Sequence, residues 1–202
     1  MRSKLSDSLN GADALQPPAR WAQMQHAVRN SGKPGVVACA ISAVDIALWD
    51  LRARLLDEPL VIALGAVHDA TPIYGSGGFT SYDNKTLCAQ LCGWAEAGIP
   101  ARQDEGGPRP GGRHRPGRRA ALCDARGMDL SLHCAPQISG QVGTAVWHLR
   151  HLEYFHDHVR IEGLAFDGTL GPEPGGVLRP DRGAPGHGLT VKFADLERYR
   201  VA

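Results

Sequence analysis

The chain has 202 residues, 43% of them hydrophobic and 21% charged, with a formal net charge of +1. That balance suits a soluble globular protein with one good core or two smaller ones. It supplies no global field for nucleic acid or an acidic membrane, so neither is expected as a partner. No apolar run approaches membrane-spanning length and no charged-then-apolar leader opens the chain, which predicts a cytoplasmic protein.

Residues 1–19 are polar, contain Pro17-Pro18 and read as a loose lead-in. A short helix is expected from Trp21 to Arg29, stopped by Asn30-Ser31-Gly32-Lys33-Pro34-Gly35. The clearest periodicity follows. Val37, Ile41, Val44, Leu48, Leu51 and Leu55 alternate spacings of four and three, which puts one apolar stripe on a helix. Asp57-Glu58-Pro59 ends it, because proline disfavours helix at the preceding residue. Trp49 and Asp50 flank the stripe and are read as packing residues.

Thr71 to Gly78 reads as a strand entering a glycine-rich turn. Gly75-Ser76-Gly77-Gly78 lacks the lysine and spacing of a phosphate loop. Asp83 is placed to cap a helix whose buried face is Leu87, Leu91 and Trp94, with Gly98 and Pro100 at its end. Strand, loop and helix in this order form the repeat of a parallel α/β fold. Arg102 to Arg119 then contains no aliphatic or aromatic side chain, which predicts a disordered or solvated loop. Without aromatic residues for stacking, it makes a poor nucleic-acid tail.

Order returns with a helix through Cys123 that ends at Gly127, and a strand at Met128–Leu132 with His133 at its C-terminal end. A helix from Gln137 to Leu149, a strand at His151–Phe155, and a tail with a turn, a strand and a closing helix complete the reading. The five cysteines, Cys39, Cys88, Cys92, Cys123 and Cys134, show no zinc-type pairing and are read as reduced packing residues. His148, His151, His156 and His158 cluster in sequence without a fixed metal motif and are read as solvated.

Three blocks resemble the mandelate racemase and muconate-lactonising branch of the enolase superfamily. Arg29–Gly35 with Ala40-Ile41-Ser42-Ala43-Val44-Asp45-Ile46-Ala47-Leu48-Trp49-Asp50-Leu51 is similar to the helical part of that family's capping domain. Ile73-Tyr74-Gly75-Ser76-Gly77-Gly78-Phe79 is similar to its first barrel strand and loop. Leu132-His133-Cys134-Ala135-Pro136 through Leu152-Glu153-Tyr154, with Pro185-Gly186-His187-Gly188-Leu189, is similar to the last two strands and the return to the cap.

The resemblance implies an α/β chain made of an incomplete β/α barrel with a remnant helical capping domain. The expected division is 1–70 for the cap, 71–180 for the partial barrel interrupted by the loop 102–119, and 181–202 for the return. It also implies Mg²⁺-assisted abstraction of a proton next to a carboxylate, on a small hydroxy-acid or sugar-acid substrate. That carbon acid is weak, so its enediolate needs a cation and hydrogen-bond donors. His133 matches the family's histidine base and Glu153 the acid on the last strand, both at strand ends where a barrel places its chemistry.

The family's Lys-x-Lys base, its three metal-binding carboxylates and the aspartate that pairs with the histidine have no counterpart here. Magnesium is therefore not expected to bind this chain, and no residue is assigned as a metal ligand. Read one base later, codons permitted for Arg102-Gln103-Asp104-Glu105-Gly106-Gly107 spell Val-Lys-Met-Lys-Val-Gly, a good family strand. A frameshift near Ala101, with frame restored near Ala120 and the central barrel deleted, accounts for the departure; the gene's nucleotides test it. The expected function is a vestigial racemase-like or dehydratase-like protein. An enzyme completed by oligomerisation and a non-catalytic scaffold are the alternatives. An open half-barrel exposes strand edges, so self-association is expected.

Overall fold

The computed structural model describes residues 2–31, 35–77, 82–100 and 116–200. The chain divides into two compact units, one formed by Met1–Leu60 with Gly183–Gly186 and the other by Val61–Arg182 with His187–Ala202. Among the described residues, no helix is long and apolar enough to cross a membrane.

The first unit is helical: α1 (Arg2–Leu9), α2 (Pro17–Ala27) and α3 (Val36–Leu55) close around Leu5, Met24, Val28, Val37 and Ile41. The lead-in expected to be loose is helical instead. Pro17 and Pro18 occupy the first turn of α2, where a missing N–H costs nothing and the fixed φ suits a helix. The apolar stripe of α3 is covered only over its first turns. Val37 and Ile41 are buried, Val44 and Leu48 pack partly, and Leu51 and Leu55 are exposed. The Arg52 guanidinium lies over Trp49, and Asp50 pairs with Arg54 at 2.8 Å, one helical turn away. Glu58 and Leu60 exchange backbone hydrogen bonds with Gly186. A Cβ on Gly186 would fall 2.2 Å from an Asp50 oxygen, so only glycine fits there.

A short helix, α4 (Leu60–Ala63), leads to the second unit, whose sheet has the order β2 (Leu130–Leu132), β3 (Leu149–Phe155), β1 (Thr71–Ser76), β5 (Val177–Leu178). The first three strands are mutually parallel and β5 is antiparallel to β1. Helices α5 (Asn84–Glu96), α6 (Pro116–Asp124), α7 (Pro136–Gly143) and α8 (His156–Ala165) are interleaved with them. Beyond α8, β4 (Phe166–Asp167) pairs with β6 (Thr190–Val191), followed by α9 (Phe193–Leu196). Three parallel strands alternating with helices form an arc of a β/α barrel.

Alternation along the strands sorts the side chains. Ile73, Leu132, Leu152 and Tyr154 bury one face of the sheet together with Trp94, Ile99 and Leu178. Gly75 has to be glycine because a Cβ there would sit 2.6 Å from the Trp94 ring. The opposite face presents the next residues along: Tyr74, with its ring 4.5 Å from that of His151, and Glu153.

Several expectations are corrected. The segment 102–119 is helical from Pro116, and its residues 102–115 lie outside the described residues, as does the region of the frameshift reading up to that point. The helix expected over Gln137–Leu149 stops at Gly143, where a Cβ would fall 2.4 Å from Thr71 Oγ1; β3 already begins at Leu149. Leu91 is exposed, leaving Trp94 as the buried residue of α5. Cys39, Cys88 and Cys92 are exposed rather than packed, and only Cys134 is buried. Helix α8 was not expected at all. Its polar sequence carries only Val159 into the core as a partly buried contact.

Candidate active site

Parallel pairing builds the site. Leu132 lies opposite Leu152 in the register of β2 and β3, so the next residues along each strand, His133 and Glu153, come side by side at the strand ends. His133 Nε2 is 3.3 Å from Glu153 Oε2. The imidazole is 69% exposed and the carboxylate 12%, so the histidine forms the rim of the site and the acid its floor.

Cys134 joins them, which strand geometry alone forbids. Successive residues of a strand point to opposite faces. Here the chain leaves the extended region: Cys134 has φ 55° and Ala135 φ 46°. The turn brings Cys134 Sγ to 3.2 Å from Glu153 Oε2, to which it donates, and to 3.6 Å from His133 Nε2. Burial, then the hydrogen bond to Glu153 and the charges of Glu153 and Glu162, push the Cys134 thiol up to about 12. Without a further partner it is therefore a neutral thiol and a weak nucleophile.

Left-handed backbone at two successive L-residues costs roughly 1–2 kcal/mol each, and α8 supplies what holds it. Ala135 N–H donates to His158 Nδ1 at 3.1 Å. One turn further along α8, the Glu162 carboxylate accepts the Gln137 backbone N–H. Helix α7 has no side-chain cap of its own, since its N-cap residue is Ala135. Two acceptors from another helix satisfy its first donors instead. Burial lifts Glu162 to about 7, against the opposing pull of the Gln137 N–H, and Tyr154 is raised by burial and then by the Glu162 charge.

The four clustered histidines have separate environments. His148 pairs with Asp124 at 3.2 Å, His156 meets the Tyr82 ring edge-on, His151 stacks obliquely on Tyr74, and His158 supports Ala135. The solvated reading therefore fails for His151 and His158. Among the described residues, the side chains that converge as potential metal ligands are His133, Cys134 and Glu153. The sequence singled out His133 and Glu153 as base and acid, not as metal ligands. Cys134 was passed over as a packing residue, although its place directly after His133 was the available signal. His158 and Glu162, four apart and so on one face of a helix, offered a signal only to a reader who already expected α8.

Comparison with known proteins places these features in context. Residues 1–65 match the mandelate racemase / muconate lactonizing enzyme N-terminal domain, and residues 108–196 match the enolase C-terminal domain-like family. A mandelate racemase/muconate lactonizing enzyme-like protein from Rubrobacter xylanophilus is 35% identical with a TM-score of 0.86, over 98% of this chain and 83% of that one. A 3,6-anhydro-alpha-L-galactonate cycloisomerase from Streptomyces coelicolor is 40% identical over 73 residues, which is 36% of this chain but only 20% of that enzyme. The L-talarate dehydratase of a Polaromonas species, solved with Mg and L-glucarate, shares the fold at a TM-score of 0.74 and 16% identity, over 96% of this chain and 82% of that one. The chain belongs to the mandelate racemase and muconate lactonizing enzyme family of the enolase superfamily.

Proposed function

We propose that this chain is a catalytically reduced member of its family, descended from enzymes that racemise or dehydrate hydroxy or sugar acids. The observation that carries this reading is that His133, Cys134 and Glu153 close on one another at the strand ends. His133 Nε2 lies 3.3 Å from Glu153 Oε2, so the imidazole and the acid face each other. Glu153 also accepts from Cys134, which competes with the hydrogen bond it would make to a substrate carboxylate.

The family's magnesium fits this donor set poorly. Mg²⁺ takes oxygen ligands in an octahedron at about 2.0–2.1 Å. The converging side chains among the described residues are one imidazole, one thiol and one carboxylate. The residues that remain can bind and orient a small acid at the strand ends, with a hydroxy acid or sugar acid as the class of ligand.

The test is solvent deuterium exchange next to the carboxylate of a panel of hydroxy and sugar acids, with Mg²⁺ present. The expected result is exchange no faster than in protein-free buffer. Mg²⁺-dependent exchange that disappears in His133→Asn would overturn the proposal. One observation favours a second reading, an enzyme completed by self-association: β2 is the outer strand of the sheet, with a strand partner on one side only among the described residues. Repeating the exchange assay across protein concentration, alongside sedimentation velocity, separates the two; activity rising with the associated fraction supports the second.

A further inference from the structure

We propose that His133, Cys134 and Glu153 form a binding site for a zinc-class transition-metal ion. Zinc takes nitrogen, sulfur and oxygen ligands in a tetrahedron, at about 2.0–2.1 Å for nitrogen, 2.0–2.2 Å for oxygen and 2.3 Å for sulfur. Such bond lengths require ligand atoms about 3.4–3.6 Å apart. The three edges here are 3.3 Å from His133 Nε2 to Glu153 Oε2, 3.2 Å from Cys134 Sγ to Glu153 Oε2, and 3.6 Å from Cys134 Sγ to His133 Nε2. One edge matches and the other two fall short by a few tenths of an ångström, so small side-chain shifts would open one face of the tetrahedron to an ion.

The donor types agree with the geometry. A thiol and an imidazole are ligands for zinc, cobalt or copper and poor ones for magnesium. On binding, the Cys134 S–H bond breaks, its proton leaves to solvent, and a sulfur–metal bond takes its place. His133 binds through the lone pair of Nε2 as a neutral imidazole, its proton on Nδ1. Exposure of His133 leaves an entry path and a fourth position open to water, the arrangement of three protein ligands and an open site.

The site is also held from behind. The left-handed turn at Cys134 and Ala135 puts consecutive side chains on one carboxylate. His158, hydrogen-bonded to Ala135 N–H, keeps that turn in place and acts as a positioning residue. The same spacing also serves a hydrogen-bonded triad with no ion, which is the competing outcome of the test.

The experiment is equilibrium dialysis of the full chain against Zn²⁺, with Co²⁺ as a spectroscopic probe. The expected result is stoichiometric Zn²⁺ uptake, a thiolate-to-cobalt charge-transfer band, and selective protection of Cys134 from alkylation compared with exposed Cys39, Cys88 and Cys92. Cys134→Ser should remove the band and weaken Zn²⁺ by more than the roughly 10–100-fold that a supporting residue around a metal site is worth. His133→Asn gives an independent check, because its exposed side chain can change without unfolding the chain. Absence of stoichiometric uptake overturns the proposal, as does uptake that His133→Asn leaves unchanged or a cobalt complex without the thiolate band. None of these readouts depends on turnover of a sugar acid.

Discussion

Two strand–loop–helix units of the same sheet start their helices by opposite means. After β1, α5 is capped by its own N-cap residue: Asp83 accepts the Thr86 N–H at 2.7 Å, and the Thr86 hydroxyl and backbone N–H together hold its carboxyl below the usual range. After β2, α7 begins at an alanine and borrows its acceptors from His158 and Glu162, more than twenty residues later. The first start is local and withstands change elsewhere. The second exists only when α8 is docked, so the geometry of the His133–Cys134–Glu153 cluster reports on tertiary structure.

Four measurements would break or sharpen this contrast. Trp94→Ala strips the shared cover from Ile73, Leu132 and Leu152, and should cost about 3–5 kcal/mol in urea unfolding. It would undo both starts together. His158→Ala leaves a partly buried Ala135 N–H without its acceptor and should cost about 1–3 kcal/mol. Amide shifts should move at residues 133–137 and stay fixed at 83–87; equal movement in both places would end the contrast.

Glu162 predicts a pH dependence. Its folded-state value, about 7, lies above the unfolded one, so its favourable contribution is complete below the unfolded value and is lost as pH rises through about 7. Partial exposure limits the effect to about 1–2 kcal/mol. Urea midpoints should therefore fall across that interval, and Glu162→Gln should flatten the profile. The smallest effect is expected from Asp83→Ala, confined to the first turn of α5 and readable as faster amide exchange there. Its contribution runs in the other direction with pH, fading as acid protonates the depressed carboxyl.

The same contrast explains what the sequence made legible. Asp83, Trp94 and Gly98 announce α5 because cap, buried face and terminator lie within one helix length. Val37 and Ile41 announce α3 through their spacing, but how far the stripe would be covered depended on helices that the lead-in concealed. His133 and Glu153 were found by resemblance, and their contact follows from a register that no local pattern encodes. Cys134 could not be placed in the site because strand alternation points it away; only the left-handed turn reverses that. Helix α8 was missed because its mixed charges and weak apolar face carry little periodic signal, while its contribution lies in two polar atoms.

The turn after β2 has a consequence for sequence drift. Position 135 carries an alanine at φ 46°, where a β-branched side chain is strongly disfavoured and glycine or asparagine is at ease. A library randomised at that codon and sorted for folded protein should therefore enrich glycine and asparagine over valine and isoleucine. The residue beside the cluster would then be read by selection as a hinge point in all but name, tolerant of lost chemistry and intolerant of bulk.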